Sequence, residues 1–470
     1  MALNTALTVS ILDGLFKEVY ADAIADHRPR NLVFQNDIAF IDKEASPGNS
    51  YHQPVLLQHE HGFTYSRNNE GAFTLMDPIV GATKDATVIG YQKVLRSRMD
   101  YESAARASSG GKRAFAEATQ LFVREMASSF RKRTEIDLIN GRAGLGTVRS
   151  KAAQKIVVDQ KYWAPGIWAG SESTLICAFD PVDATAAPGP YPDFIDNGTA
   201  DTLSVGVAAT PEEVAEITGV NMDDLSLTTA SSGSGKYDPG GVGATIEDGD
   251  HLYMAGLTAA NKNGGHRQID DLPGKWNIPV GIHDILAFQG GPAAGAKNLF
   301  GIDTAAYSLW GASTHACETE GELTYADVSQ AIVKAVGKGL EDDLVLYCST
   351  RSYAQLIEAQ IGVHRWNNNS GPATYDIGSD HIKFYSQNGM ITIKSSIYIK
   401  QDFAYLIAPE LWLRVGATDM TFNLPGRGDE FFRHLENAAG YELRAYDNSA
   451  PFTEAPGKGV LIYDCCTRTA

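Results

Sequence analysis

Cysteine is scarce in this sequence, and the few cysteines follow no binding pattern. They contain no C-x-x-C pair and are odd in number: Cys177, Cys317, Cys348, Cys465 and Cys466. Such spacing predicts neither a disulfide framework nor a zinc knuckle. A reducing compartment is therefore the expected environment.

Long apolar runs and an excess of positive charge are also missing. No stretch approaches the roughly 18 apolar residues of a membrane span, and residues 1–13 lack the basic and apolar regions of a signal peptide. The formal net charge of -18 opposes nonspecific attraction to nucleic acid or to anionic membrane. We therefore expect a soluble protein that is made in a cytoplasm and has no membrane partner.

Recognisable catalytic and ligand-binding motifs are absent as well. The run 231–237 resembles a phosphate loop, but its lysine is followed by Tyr237 instead of Ser or Thr. Three histidines within 52–61 lack the further ligands of a closed metal site, so a solvated strand is expected. Residues 311–315 lack the nucleophile elbow of serine hydrolases. The sequence predicts no catalytic residue, no cofactor-binding residue and no metal ligand, and hence no enzyme.

The strongest positive signal is a long helix over about 109–140. Its apolar residues recur at steps of three and four, as expected for one helical stripe: Phe115, Ala118, Phe122, Met126 and Phe130. A charged face opposite this stripe, with Glu135 and Asp137 among its members, is expected to face solvent. The Asn140-Gly141 pair is a typical helix stop. At about 1.5 Å per residue the helix is a rod of roughly 45 Å.

The segments before the rod are predicted to need a partner surface. Residues 7–26 form an amphipathic helix, and 31–48 form a turn-rich arm. An extended run at 51–65, a turn at 66–71 and a return at 72–76 predict a protruding hairpin. An alternating run at 86–99 leads into the rod.

After the rod the sequence predicts a β-rich stretch and then a mixed α/β section. The stretch has strands at 202–208, 225–229 and 251–257, a helix at 211–218 capped by Thr210, and at 246–254 a turn and strand typical of small barrels. A helix at 323–336 carries a near capping box in Thr324 and Asp327. A strand at 343–348 and a helix at 349–360 follow. Further strands are predicted at 382–385, 390–393, 396–399, 404–408, 412–415 and 441–446.

This order resembles the major capsid protein of tailed bacteriophages, the Hong Kong ninety-seven fold. The segments that carry the resemblance are 110–141 as the spine helix, 300–310 leading to the helix near Asp327, 342–356, 389–400 and 403–409. The resemblance implies an α+β fold divided into these parts: N-terminal arm 1–48, extended β-hairpin loop 49–85, peripheral domain 86–180 with the spine helix at about 109–140, β-rich insertion domain 181–265, axial domain 266–385, and terminal β strands 386–470.

The resemblance also implies a function in assembly. The chain is expected to form hexamers and pentamers of an icosahedral shell around packaged double-stranded DNA, without sequence-specific DNA binding. The loop at 51–80 would lie over a neighbouring subunit, and the helix at 7–26 beneath another. Expected partners are a separate scaffolding protein, a portal and decoration proteins. The location is the virion capsid, after synthesis in the bacterial host cytoplasm. Because 51–80 contains no lysine, no isopeptide crosslink of the kind found in some family members is expected.

Three other interpretations remain open at the level of sequence. An encapsulin-like nanocompartment shares the fold but encloses a protein cargo. A multidomain cytoplasmic enzyme could have an active site that the sequence does not reveal. A carbohydrate-binding module could use Trp163 and Trp168 as stacking platforms, although two tryptophans around Pro-Gly are more typical of core anchors.

Overall fold

The structure is a computed structural model, and its fold is α+β, as predicted. It describes residues 32–41, 50–68, 71–100, 112–152, 154–179, 215–229, 248–254, 277–287, 298–319, 321–364, 382–387, 389–423, 432–434 and 440–467. The predicted helix at 7–26, the strand at 202–208 and the loop at 231–237 lie outside these residues. Among the described residues, none of the helices is long and apolar enough to cross a membrane.

The N-terminal part of the described chain consists of a short helix and a two-stranded ribbon. Helix α1 spans Val33–Asp37, strand β1 Tyr51–Leu56, strand β2 Thr83–Val88 and strand β3 Tyr91–Asp100. The predicted run at 86–99 is thus broken before β3. A Cβ at Gly90 would lie 2.0 Å from Oδ1 of Asn448, so a side chain there would require the Asn448 side chain to move.

The predicted rod is present as helix α2, Lys112–Asn140, and ends at Gly141 with φ +50°. Met126 and Phe130 of its apolar stripe are buried, as predicted. The expectation that Glu135 and Asp137 face solvent is wrong, because every residue from Thr134 to Asn140 is buried. Partners distant in sequence surround this end of the helix, so its periodicity does not show which face meets solvent.

Six strands after the rod close into a barrel in the order β4-β5-β8-β7-β6-β9. They are β4 Gly146–Ala152, β5 Lys155–Val158, β6 Leu175–Phe179, β7 Ala215–Asn221, β8 Ser226–Thr229 and β9 His251–Met254. A short helix, α3 Pro165–Trp168, lies between β5 and β6. The strand that follows the predicted barrel-type turn is observed as β9.

The barrel corrects two predictions. Strand β7 occupies 215–221, where a helix was predicted to continue to 218. Ala215 and Ile217 alternate into the barrel core, and pairing with β6 and β8 outweighs the helix-start signal at Thr210. The barrel also takes strands from both sides of residue 181, so the boundary predicted there divides one barrel. The remaining domain boundaries stay predictions.

A six-stranded mixed sheet lies beyond the barrel, in the order β12-β20-β16-β13-β15-β14. Its strands are β12 Ser313–Ala316, β13 Val345–Cys348, β14 Ile382–Ser386, β15 Gly389–Ser395, β16 Ala404–Ile407 and β20 Val460–Tyr463. The accompanying elements are α4 Ile282–Ala287, the β10–β11 ribbon (Asn298–Leu299 and Ile302–Asp303), α5 Tyr325–Val336 and α6 Thr350–His364. Thr324 and Asp327 form the predicted capping box.

The strand predicted at 396–399 is wrong. Tyr398 and Ile399 are buried, but in a turn that connects β15 to β16 on the opposite side of β13. Because β15 and β16 already pair with the two sides of β13, the connection between them cannot add a further strand beside β13. The turn packs against α3 instead, where Ile397 accepts a hydrogen bond from the Gly166 amide at 2.9 Å.

The last sheet joins the C-terminal part of the chain to β3. Strand β19, Gly440–Thr453, pairs with β17, Trp412–Thr421, with β18, Phe432–His434, and with all of β3. Met126 and Phe130 of α2 pack on its Leu443 and Ala445. The rod therefore rests on a sheet in which β3 lies more than 300 residues before the other three strands in sequence.

Candidate assembly surfaces

The most prominent surface is the loop that joins β1 to β2, residues 57–82. The two strands pair antiparallel from Tyr51 opposite Val88 to Leu56 opposite Thr83. Beyond them the two arms are joined by the pair of hydrogen bonds between His61 and Ile79, at 2.9 and 3.0 Å. The predicted hairpin is therefore present, with a ladder shorter than the extended run at 51–65 suggested and a long tip of irregular backbone.

This loop exposes more large apolar side chains than a surface loop normally does. Tyr65 is 89% exposed, Val80 74% and Leu75 73%. Phe63, Phe73, Met76 and Ile79 are also exposed, as is Leu56 at the end of β1. Burying one such side chain is worth about 1.5–3 kcal/mol. A concentration of exposed apolar side chains in one loop marks a site for contact with another molecule.

The base of the loop is fixed to the core. The Tyr51 and Phe300 rings meet the buried Phe452 ring edge to face, with centroids 5.6 and 5.2 Å apart. The Thr87 amide donates to the Phe300 carbonyl at 2.9 Å, and Ala86 is fully buried. Because its base is anchored to the core, the loop presents its apolar tip to a partner in one direction.

The second candidate surface lies at helix α1, the first helix of the described chain. Helix α1 has no cap from its own N-cap residue, and Glu135 of α2 accepts hydrogen bonds from the amides of Phe34 at 2.8 Å and Gln35 at 3.0 Å. Burial, with the nearby Asp37 carboxylate, raises the pKa of Glu135 to about 7, although the amide hydrogen bonds lower it. The start of α1 is therefore held against the rod.

The other end of α1 is held by an ion pair. Asp37 contacts Nζ of Lys394 at 2.7 Å and accepts from the hydroxyl of Tyr347 at 2.5 Å. Phe34 stacks on Tyr347 with ring centroids 4.3 Å apart. Residues 32–41 of the predicted arm are thus docked into the core, because the side chains of Phe34 and Ile38 are buried there.

The C-terminal end of the rod lies in a buried polar cluster. Gly141 faces Gly281 so closely that a Cβ on Gly141 would lie 2.0 Å from the Gly281 nitrogen. Asp284 accepts from the amides of Arg142 at 2.7 Å and Gly281 at 2.8 Å. Burial raises the pKa of Asp284 to about 6, although those amides and the charges of Arg142 and Lys400 lower it. This cluster orients the rod against α4.

An open cavity of about 970 Å³ lies between the rod, β3 and the barrel. Its apolar wall includes Val94, Phe130 and Leu175, and its polar wall includes Lys93, Arg133 and Asp137. The Asp137 carboxylate pairs with both cations, at 3.0 Å each. Nζ of Lys93 also lies 3.7 Å from the Asp447 carboxylate, so the two cations of this wall face two carboxylates of the same chain.

The residues considered as ligands or stacking platforms form no site. His59, Glu60 and His61 are exposed, and His52 pairs with Asp85 at 2.6 Å. Within the described ranges no group of three or more metal-binding side chains occurs. Trp163 and Trp168 are buried and stack on each other at 6.2 Å, so they are core anchors and not a carbohydrate platform.

The described elements define a class of chain: an α+β fold with an anchored apolar loop, a long helix packed on a β-sheet, a six-stranded barrel and a mixed sheet. Among solved structures, this is the fold of a phage capsid chain. The chain of the Cyanophage A-1(L) capsid asymmetric unit is 11% identical, with a TM-score of 0.53, over 98% of this chain and 100% of that one.

Two further capsid structures score lower and add nothing to this assignment. The capsid of Cyanophage P-SCSP1u is 9% identical with a TM-score of 0.43, over 98% of this chain and 96% of that one. The capsid of a native GTA particle is 9% identical with a TM-score of 0.43, over 98% and 99%. No family profile matches the sequence. No curated protein matches it either.

Proposed function

We propose that this chain is the major capsid protein of a tailed bacteriophage, which assembles with itself into the shell around packaged double-stranded DNA. The observation that carries the proposal is the anchored loop at 57–82. Its apolar side chains have no cover within the described chain, and a second copy of the same chain is the partner that a closed shell supplies at every position. The fold shared with the cyanophage A-1(L) capsid chain supports this assignment.

The proposed shell is built from hexamers and pentamers. In it, the loop of one copy lies over its neighbour, and residues 7–26 lie beneath another copy. The net charge of -18 suits a lining that does not trap DNA. The role is structural and needs no catalytic residue.

A separate scaffolding protein, a portal and decoration proteins belong to the same proposal. The chain is made in the bacterial host cytoplasm and ends in the virion. Stoichiometric co-purification of a small helical protein with immature shells is the expected result for the scaffold. Shells of normal size formed by this chain alone would count against it.

Electron microscopy of the purified chain, alone and with its genomic neighbours, tests the assembly. Closed shells, tubes or rings are the expected result. Uniform monomers or dimers under all conditions would contradict the proposal. Shells that enclose a protein in place of DNA would instead indicate a nanocompartment.

A matched pair of variants tests the role of the loop. Leu75→Asp places a charge on the exposed tip and is expected to abolish shells while the circular dichroism spectrum stays unchanged. Met222→Asp changes another exposed apolar residue, 38% exposed on the barrel, and is expected to assemble normally. Equal assembly of both variants would show that the loop tip is not an interface.

A further inference from the structure

Two of the cysteines that show no pattern in the sequence lie side by side in the fold. The Sγ atoms of Cys317 and Cys465 are 3.3 Å apart, although 148 residues separate them. Cys465 is fully buried and Cys317 is 7% exposed. The two sulfurs are thus in direct contact, and a bond between them requires closure to about 2.05 Å.

Strand pairing brings these two residues together. Parallel β12 and β20 end with Ala316 opposite Tyr463, and the Cys317 amide donates to the Tyr463 carbonyl at 3.0 Å. Asp464 then adopts a left-handed conformation, φ +62°, which turns the chain after β20. The Cys465 amide donates to the Asp402 carbonyl at 3.1 Å, so the backbone holds both cysteines in place.

Cys348 and Cys466 make different contacts. The Cys466 sulfur receives a hydrogen bond from Nη1 of Arg351 at 3.2 Å. Cys348 bonds the Lys394 carbonyl at 3.8 Å. The fold therefore singles out Cys317 and Cys465 as one pair, even though Cys466 is adjacent in sequence.

We propose that Cys317 and Cys465 are a modification site, at which a peroxide converts two buried thiols into an intrachain disulfide. The Cys317 sulfur, as thiolate, attacks one peroxide oxygen; the S–O bond forms, the O–O bond breaks, and the released hydroxide takes up a proton to become water. The Cys465 sulfur then loses its proton and attacks the Cys317 sulfur, which forms the S–S bond and releases a second water. Two thiols are oxidised, and one peroxide is reduced.

The order of these two steps follows from the surroundings of the sulfurs. Cys317 is the more exposed, so it meets a small oxidant first. The hydrogen bond to Cys317, together with burial, raises the pKa of Cys465 well above its usual range. Cys465 therefore keeps its proton until Cys317 has been oxidised, and it then acts as the resolving thiol.

The disulfide would fasten the chain after β20 to the end of β12 at the edge of the mixed sheet. A reducing cytoplasm keeps the pair as thiols, and release from the cell exposes it to oxidant. Only this timing rests on the proposed capsid function. The chemistry is intramolecular and does not depend on assembly.

Thiol counting on the purified chain tests the proposal. The chain is reduced, freed of reductant, treated with hydrogen peroxide and denatured, and its free thiols are then counted. We expect the count to fall by two from the five of the sequence, with one crosslinked peptide pair that contains Cys317 and Cys465. The unassembled chain and any shells are assayed separately, so a failure of assembly is distinguishable from a failure of this reaction.

Two serine variants provide a matched comparison at neighbouring positions. Cys465→Ser is expected to abolish the peptide pair and to leave Cys317 as a sulfenic or sulfinic acid. Cys466→Ser is expected to form the pair as the unchanged chain does. A thiol count that peroxide leaves unchanged, or a crosslink through Cys466, would overturn the proposal. Peptide mapping of the unchanged chain decides the result even if a variant does not fold.

Discussion

Replacement of Glu135 by glutamine should change how the stability of this protein depends on pH. The Glu135 carboxylate is fully buried and accepts the amides of Phe34 and Gln35. Burial and the Asp37 charge raise its pKa from 4.5 to about 7. Glutamine keeps one acceptor oxygen but presents an amide group to the second donor, and an unmet buried donor costs about 1 kcal/mol or more.

The magnitude follows from the pKa of Glu135 in the folded and unfolded chains. Because the folded value is the higher one, the contribution of Glu135 to stability is fully present below about pH 4.5 and is lost as pH rises through about 7. At about 1.4 kcal/mol per pH unit, the loss between pH 5 and pH 8 is about 2.5 kcal/mol. Glutamine does not ionise, so the variant has no such loss of stability as the pH rises. The variant should therefore be less stable than the unchanged chain at pH 5 by about 1 kcal/mol, and more stable at pH 8 by about 1.5 kcal/mol.

Denaturant unfolding of the unassembled chain at pH 5, 6.5 and 8 measures this difference. Other buried carboxyls with a raised pKa, such as Asp284 and Asp402, are common to both proteins and cancel. Glu125→Gln is the matched control, because Glu125 is exposed on the same helix. Its curve of stability against pH should not cross that of the unchanged chain. Parallel pH curves for Glu135→Gln and the unchanged chain would refute the reasoning.

Three further predictions concern the end of the rod, the cap of α5 and the hairpin. In a denaturant titration, Gly141→Ala should lower the free energy of unfolding by about 3 kcal/mol or more, because it adds a clash to the strain of positive φ. Gly339→Ala is the control, since Gly339 has φ +84° but open space around it, and it should cost about 1 kcal/mol. Thr324→Ala removes the acceptor of the capping box and should cost about 1 kcal/mol, visible as faster amide exchange in the first turn of α5. Mature particles should run as single chains on denaturing gels, because no isopeptide crosslink is expected. Residues 51–80 contain no lysine, and Lys84 lies over the Tyr307 ring at the hairpin base. A ladder of covalent oligomers would contradict this.

Features with a local cause could be predicted from the sequence. The rod, its stop at Gly141 and the capping box each depend on residues within a few positions of one another, and each is observed. The strand at Val345–Cys348 and the helix after it were likewise predictable from their apolar pattern. Periodicity and caps encode these elements directly.

Features that depend on distant contacts could not be predicted in this way. The burial of Glu135 results from a partner about 100 residues away in sequence. Closure of the barrel requires β4 to pair with β9, with Gly146 opposite Leu252, and no pattern within either strand specifies that partner. The exposed tip of the loop is a further example. Its apolar residues, Tyr65 and Leu75 among them, are in the sequence, but only the fold shows that nothing in the described chain covers them.

The position of β20 in the mixed sheet has a consequence for synthesis. This strand lies between β12 and β16, both of which leave the ribosome well before it. Until Tyr463 has been translated, β12 has no neighbour in the sheet and β16 has one open edge. A nascent chain therefore cannot complete the mixed sheet until β20 has been synthesised.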